Sequence, residues 1–146
     1  MAPSGNTLNT ARVLTATRGG VLLAVAVLQV GRAVPVACSP RIPGAASWLA
    51  GSARADRHEV WLLDPMPEAA VLAIDHALLA VGDAPAWAIR IDRVVGLGLV
   101  ASNQADAGSG LTAWPAGWAS SCTLADGQVA LLLDPTAIAR DLAVAA

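Results

Sequence analysis

The sequence predicts an all-β chain written twice on one plan and closed by a short C-terminal helix, and three observations carry that expectation. Val60-Trp61-Leu62-Leu63-Asp64-Pro65 and Ala130-Leu131-Leu132-Leu133-Asp134-Pro135 are both apolar runs stopped by Asp-Pro, the pattern of a buried strand entering a turn. Pro43-Gly44 and then Trp48 precede the first, and Pro115-Ala116-Gly117-Trp118 precedes the second at nearly the same offset, as an internal duplication would require. Elsewhere, β-branched apolar runs are separated by short glycine turns, which read as hairpins.

The elements follow in order. Residues 1–10 are polar and read as a flexible N-terminus, leaving 11–146 as a single domain made of two β subdomains. Arg12 to Thr17 and Val21 to Val27 flank Arg18-Gly19-Gly20, a turn whose glycines accept positive φ. Ala33 to Cys38 is a further strand, Ile42 to Gly51 reads as loop with Trp48-Leu49 as an apolar plug, and Val60 to Leu63 is strand again. Glu68 to Leu79 reads as helix or as helix running into strand; its periodicity does not decide. Ala77 to Val81 and Trp87 to Asp92 flank a hairpin loop. In the second arm Trp87, Ile89 and Ile91 alternate with Ala88 and Arg90, which places the former inward and Arg90 outward. Val94 to Val100 extends that arm, and Gly96 and Gly98 are expected to bend it at a sheet corner. Cys122 to Leu124 and Gln128 to Leu133 enclose the turn Ala125-Asp126-Gly127, and Pro135 to Val144 is a helix with Asp134 as N-cap.

Composition narrows the function classes. Of 146 residues 55% are hydrophobic and 14% charged, which excludes a disordered chain and suffices for one domain. The net charge of -2, with no lysine and nine scattered arginines, argues against nucleic acid. Cys38 and Cys122 have no disulfide or zinc spacing and read as thiols in a reducing, cytoplasmic compartment. The apolar run Val21 to Val30 falls far short of the roughly 20 residues of a membrane span, and Arg32 between it and Cys38 is out of place for an acylated export signal.

No catalytic constellation emerges. His58 and His76 lack further ligands at metal spacing, and Asp64, Asp92 and Asp134 sit at strand ends, where carboxylates accept backbone hydrogen bonds. Gly96-Leu97-Gly98-Leu99-Val100-Ala101 fits the dinucleotide fingerprint but lacks the helix and downstream acid that the chemistry needs. It leaves one rival reading, a small nucleotide- or metabolite-binding enzyme using the Gly96–Ala101 loop.

The chain resembles the CheW-like domain of bacterial chemosensory adaptors and kinases. The match runs through Leu78-Leu79-Ala80-Val81 and Trp87 to Leu97, where an apolar-Asp-x-Val-x-Gly unit closes a strand pair. It continues in Ile42 to Gly51 with Leu62-Leu63-Asp64, and in Asp126 to Asp134, covering about residues 12 to 145. The resemblance implies two five-stranded barrels sharing an apolar seam. It also implies a non-catalytic adaptor, without cofactor, metal or membrane insertion, that binds a histidine kinase, a chemoreceptor or other CheW-like domains. A lysine-free, alanine-rich chain points to a GC-rich genome, where a pilus-associated chemosensory system is one setting.

Departures from the family pattern mark the expected partner-binding residues. Where the family writes Asn, Arg-Gly and Pro, this chain has Arg54, Asp56-Arg57 and Trp61. Where it writes Val and then Glu, this chain has Val30 and Arg32. Arg32 and Asp56 together read as a reversed ion pair.

Overall fold

The computed structural model describes residues 12–39, 43–55, 57–81, 86–104 and 114–145. Gly19 and Gly20, at φ of 60° and 82°, turn β1 (Arg12–Arg18) into β2 (Val21–Ala26), and the two pair antiparallel from Val13↔Ala26 to Arg18↔Val21. A 3-10 turn leads to β3 (Val30–Cys38), and β4 (Leu49–Ala55) and β5 (His58–Leu63) form the next hairpin. An irregular segment reaches β6 (His76–Ala80), which pairs antiparallel with β7 (Trp87–Ile91). The long β8 (Arg93–Gln104), then β9 (Ala119–Leu124), β10 (Val129–Leu133) and α1 (Pro135–Ala145) complete the chain.

These strands close into two barrels, β1-β2-β10-β9-β8 and β3-β4-β5-β7-β6. Reading the first as 8-9-10-2-1 and the second as 3-4-5-7-6 superposes them strand for strand, with the parallel pair β10–β2 matching the parallel pair β5–β7. The duplication is therefore real and exchanged. Each repeat is a hairpin followed by three strands, and each hairpin sits in the barrel built from the other repeat's strands.

Side-chain size differs between the layers. A five-stranded barrel has a narrow interior, and small residues recur in both: Val13, Ala24, Cys122 and Ala130 beside Leu124 in one, and Ala53, Ala55, Ala77 and Ala88 beside Val60, Leu62 and Leu79 in the other. The buried tryptophans gather in the seam between the barrels, where Trp87, Trp114 and Trp118 pack with Leu23, Leu63, Ile89 and Ile138. Trp48 meets Trp118 edge-on at 4.8 Å between ring centroids, and Trp114 meets Trp118 at 5.4 Å. The helix joins this layer through Ala137 and Ile138, and Asp134 Oδ1 caps it by accepting the Ala137 N–H at 3.1 Å.

Three expectations are corrected. β4 lies in a stretch read as loop and its continuation: its composition is poor in β-branched residues, but buried Gly51, Ala53 and Ala55 alternate with Ser52 and Arg54 and fit a narrow interior. No helix covers Glu68–Leu79; the segment is irregular up to β6, because its carbonyls are held by a side chain instead of by helical N–H groups. Arg90 is buried, at 9% exposure, because β7 is covered on both faces and every residue of it is buried. Gly96 and Gly98 lack positive φ, but Gly96 borders an irregularity where β8 carries Val95 unmatched against β1, the kind of local bend expected of glycine in a strand, and the strand then runs on to Gln104. That continuity removes the nucleotide reading, since no helix N-terminus follows the glycines. Residues 1–10 lie outside the described residues.

Candidate functional site

The most concentrated polar chemistry in the chain is buried at the junction of the barrels. The first Asp-Pro of the duplicated motif places Asp64, 2% exposed, at the end of β5. Arg18, fully buried at the end of β1, donates from Nε and Nη2 to its two carboxylate oxygens at 2.9 Å each. Arg90 Nη1 donates to Asp64 Oδ2 at 2.9 Å, and the Met66 N–H donates to Oδ1 at 2.9 Å. Arg90 also grips Asp75 through Nε and Nη2, while Arg18 Nη1 reaches Asp92 Oδ1 at 3.1 Å.

Arg18 does more than pair charges. Its Nη2 donates to the Met66 and Ala69 carbonyls at 3.2 and 3.0 Å, and its Nη1 to the Ala70 carbonyl at 2.7 Å. A side chain of barrel one thus fixes the irregular segment of barrel two. Gly19 packs so closely there that a Cβ would stand 2.8 Å from the Ala69 Cβ. Burial alone would raise the Asp64 pKa, but the hydrogen bonds from Arg18, Met66 and Arg90 hold it below the usual carboxylate range. With all these donors directed at it, Asp64 is a structural hub. Among the described residues no buried side-chain polar atom lacks a partner, and no group of His, Cys, Asp and Glu could hold a metal.

The outer face of the β4–β5 hairpin is different in kind. Register pairs Ser52 with Trp61 and Arg54 with Glu59, so these four side chains share the outward face while Ala53, Val60 and Leu62 point in. Glu59 accepts a hydrogen bond from the Ser52 hydroxyl at 3.1 Å and pairs with Arg54 at 3.5 Å. Trp61 stands 44% exposed, and with Ser52, Glu59, Val60 and Ala86 it lines a shallow pocket. Arg57 takes the turn at φ 73°.

Of the residues singled out in the sequence, this hairpin brings together Arg54, Arg57 and Trp61. Val30, at the start of β3, is half-buried against the seam. Arg32 is exposed in β3, at the irregularity between Val30 and Ala33, and lies four residues before Val36, which pairs with Ala55 of the hairpin. Asp56, and with it the expected Arg32–Asp56 pair, lies outside the described residues. Glu59 was overlooked, although its cross-strand match to Arg54 about the turn was readable from period-two spacing. Arg18 was overlooked too, because a turn-adjacent arginine carries no sign in one dimension of the carboxylates it will meet.

A family model for the CheW-like domain matches residues 12–143. The chain belongs to that family. Its members are non-catalytic coupling domains, consistent with a duplicated barrel pair whose charged cluster is internal. Among solved structures, this CheW-like chain is similar to that of the scaffolding protein TtCheW from Thermoanaerobacter tengcongensis. The TM-score is 0.63 at 9% identity, over 86% of this chain and 84% of that one, a likeness of fold. No curated protein matches the chain. Among the described residues no helix is long and apolar enough to cross a membrane.

Proposed function

We propose that this CheW-like chain is a cytoplasmic adaptor that links components of a bacterial chemosensory system: a histidine kinase, a chemoreceptor or another CheW-like domain. Partner contact falls on the β4–β5 hairpin and the adjoining β3, through Val30, Arg32, Arg54, Asp56, Arg57 and Trp61. The observation that carries this reading is Trp61, an indole 44% exposed beside the Arg54–Glu59 pair, on a strand whose other face is core. Exposed tryptophan and arginine are the residue types that dominate binding energy at protein interfaces. Membership of a coupling-domain family supports the same conclusion.

The test is binding of the purified chain to the kinase and receptors encoded in the same genome, by calorimetry. Trp61→Ala and Arg54→Glu are each expected to weaken one of those complexes by at least about tenfold, roughly 1.4 kcal/mol. Wild-type affinity in both variants would remove this face from the interface, and no binding to any of those proteins or to the other CheW-like domains of that genome would remove the adaptor reading.

A further inference from the structure

Two exposed apolar segments lead away from one buried point, the Arg18 guanidinium, and neither is explained by the fold. Arg18 Nη1 donates both to the Ala70 carbonyl at 2.7 Å and to Asp92 Oδ1 at 3.1 Å. From Ala70 the chain continues into Val71, Leu72 and Ile74, which are 49, 52 and 63% exposed. From Asp92 it continues into β8, whose Val95, Leu97 and Leu99 are 52, 66 and 51% exposed. These three face outward, since a Cβ on the intervening Gly98 would point at Val13, Thr15 and Leu124. β8 pairs with β1 along Arg93 to Leu99 but with β9 only from Val100 onward, so among the described residues no strand runs along the other edge of that stretch.

We infer that this surface is a self-association site, and that its occupant is the same surface of a second copy in a two-fold dimer. The patch contains both halves of a complementary contact. The segment is exposed and uncharged from Ala70 to Ile74, and exposed Glu68 precedes it. The strand presents apolar side chains separated by glycines, with exposed Arg93 at one end and exposed Arg12, register partner of Leu99, at the other. Among the described residues Glu68, Arg12 and Arg93 form no ion pair. A two-fold axis lays each copy's segment across the other's β8, placing each Glu68 toward one of the two arginines that flank the partner's strand, as an isologous contact requires. Burying six such half-exposed side chains on each copy removes roughly 1,000 Å² in total, the lower bound for a specific interface. Arg18 anchors the start of the segment through the Met66, Ala69 and Ala70 carbonyls, which lowers the ordering cost of association.

Sedimentation velocity of the full chain, up to about 100 μM, tests the inference by mass action. The expected result is a monomer–dimer equilibrium that Leu72→Asp and Leu97→Asp each weaken by at least about tenfold. Thermal melts of the two variants' monomers should match that of the wild type, as both positions are exposed. Arg12→Glu/Arg93→Glu is expected to weaken the dimer, and adding Glu68→Arg to restore part of it. A chain that stays monomeric throughout the range overturns the inference. So does a dimer that ignores either aspartate variant, or one in which the added Glu68→Arg restores nothing.

Discussion

Trp48 and Trp118 touch edge to face, 4.8 Å between ring centroids, and they occupy the same position in the two repeats. Each carbonyl accepts the N–H of the aspartate that ends the following hairpin: Trp48 from Asp64 at 2.7 Å, Trp118 from Asp134 at 2.8 Å. The pseudo-symmetry of the chain is thus marked by two indoles in contact at the seam. The aspartates they hold have diverged, Asp64 into a buried hub and Asp134 into an exposed helix cap.

That divergence predicts unequal costs for one substitution. Asp64→Ala leaves Arg18 and Arg90 short of a buried partner and is expected to cost about 3–5 kcal/mol. Asp134→Ala removes a cap and is expected to cost about 1 kcal/mol. Urea midpoints of the two variants check the ratio; similar losses would deny Asp64 its role as hub.

Acid should expose the same group. The folded pKa of Asp64 is lowered, so the unfolded chain binds the proton more readily. Its stabilising contribution is complete above the unfolded value of about 3.9 and is lost as pH falls through the lower folded value. Stability measured by urea titration from neutral pH downward should fall steeply below about pH 4. Asp64→Asn, less stable at neutral pH, should show a shallower fall.

Two tryptophans separate packing from contact. Trp118 is 1% exposed and its indole N–H donates to Asp141 at 2.7 Å, so Trp118→Ala is expected to cost about 3–5 kcal/mol. Trp61→Ala, on an open face, should shift the urea midpoint far less while weakening partner binding.

The two thiols should differ in the folded chain, because Cys122 is buried and Cys38 only half-buried. Burial raises the pKa of Cys38 and of Cys122, and Cys122 is fully enclosed in barrel one. Native thiol labelling at neutral pH should be slower for Cys122 than for Cys38, and the difference should vanish in urea; fast native labelling of Cys122 would contradict its enclosure.

Much of this architecture was legible in one dimension. The Asp-Pro repeat, the Gly19-Gly20 and Asp126-Gly127 turns and the Asp134-Pro135 cap each encode a local backbone demand, and local demands are written locally. β4 was not legible because its inward positions are Gly51, Ala53 and Ala55, small residues chosen by the narrowness of a barrel that exists only in three dimensions. Arg90 was misread for a related reason: alternation assigns one face to solvent, but β7 has no solvent face. Within the proposed site, Arg54 and Trp61 were visible as departures from a family pattern. The Arg18 junction was not, since its carboxylates lie 46 and 74 positions away in sequence.

The exchanged hairpins also fix the order in which a ribosome can deliver this fold. Barrel two uses only β3 to β7, consecutive in the chain, and can close while synthesis continues. Barrel one needs β1 and β2 from the beginning and β10 from near the end. At about 5–20 residues per second, the nascent first hairpin waits several seconds with unpaired edges, the condition under which strands find the wrong neighbour. A chain ending between Ile91 and Ala119 holds every strand of barrel two together with a first hairpin whose partners β9 and β10 are missing.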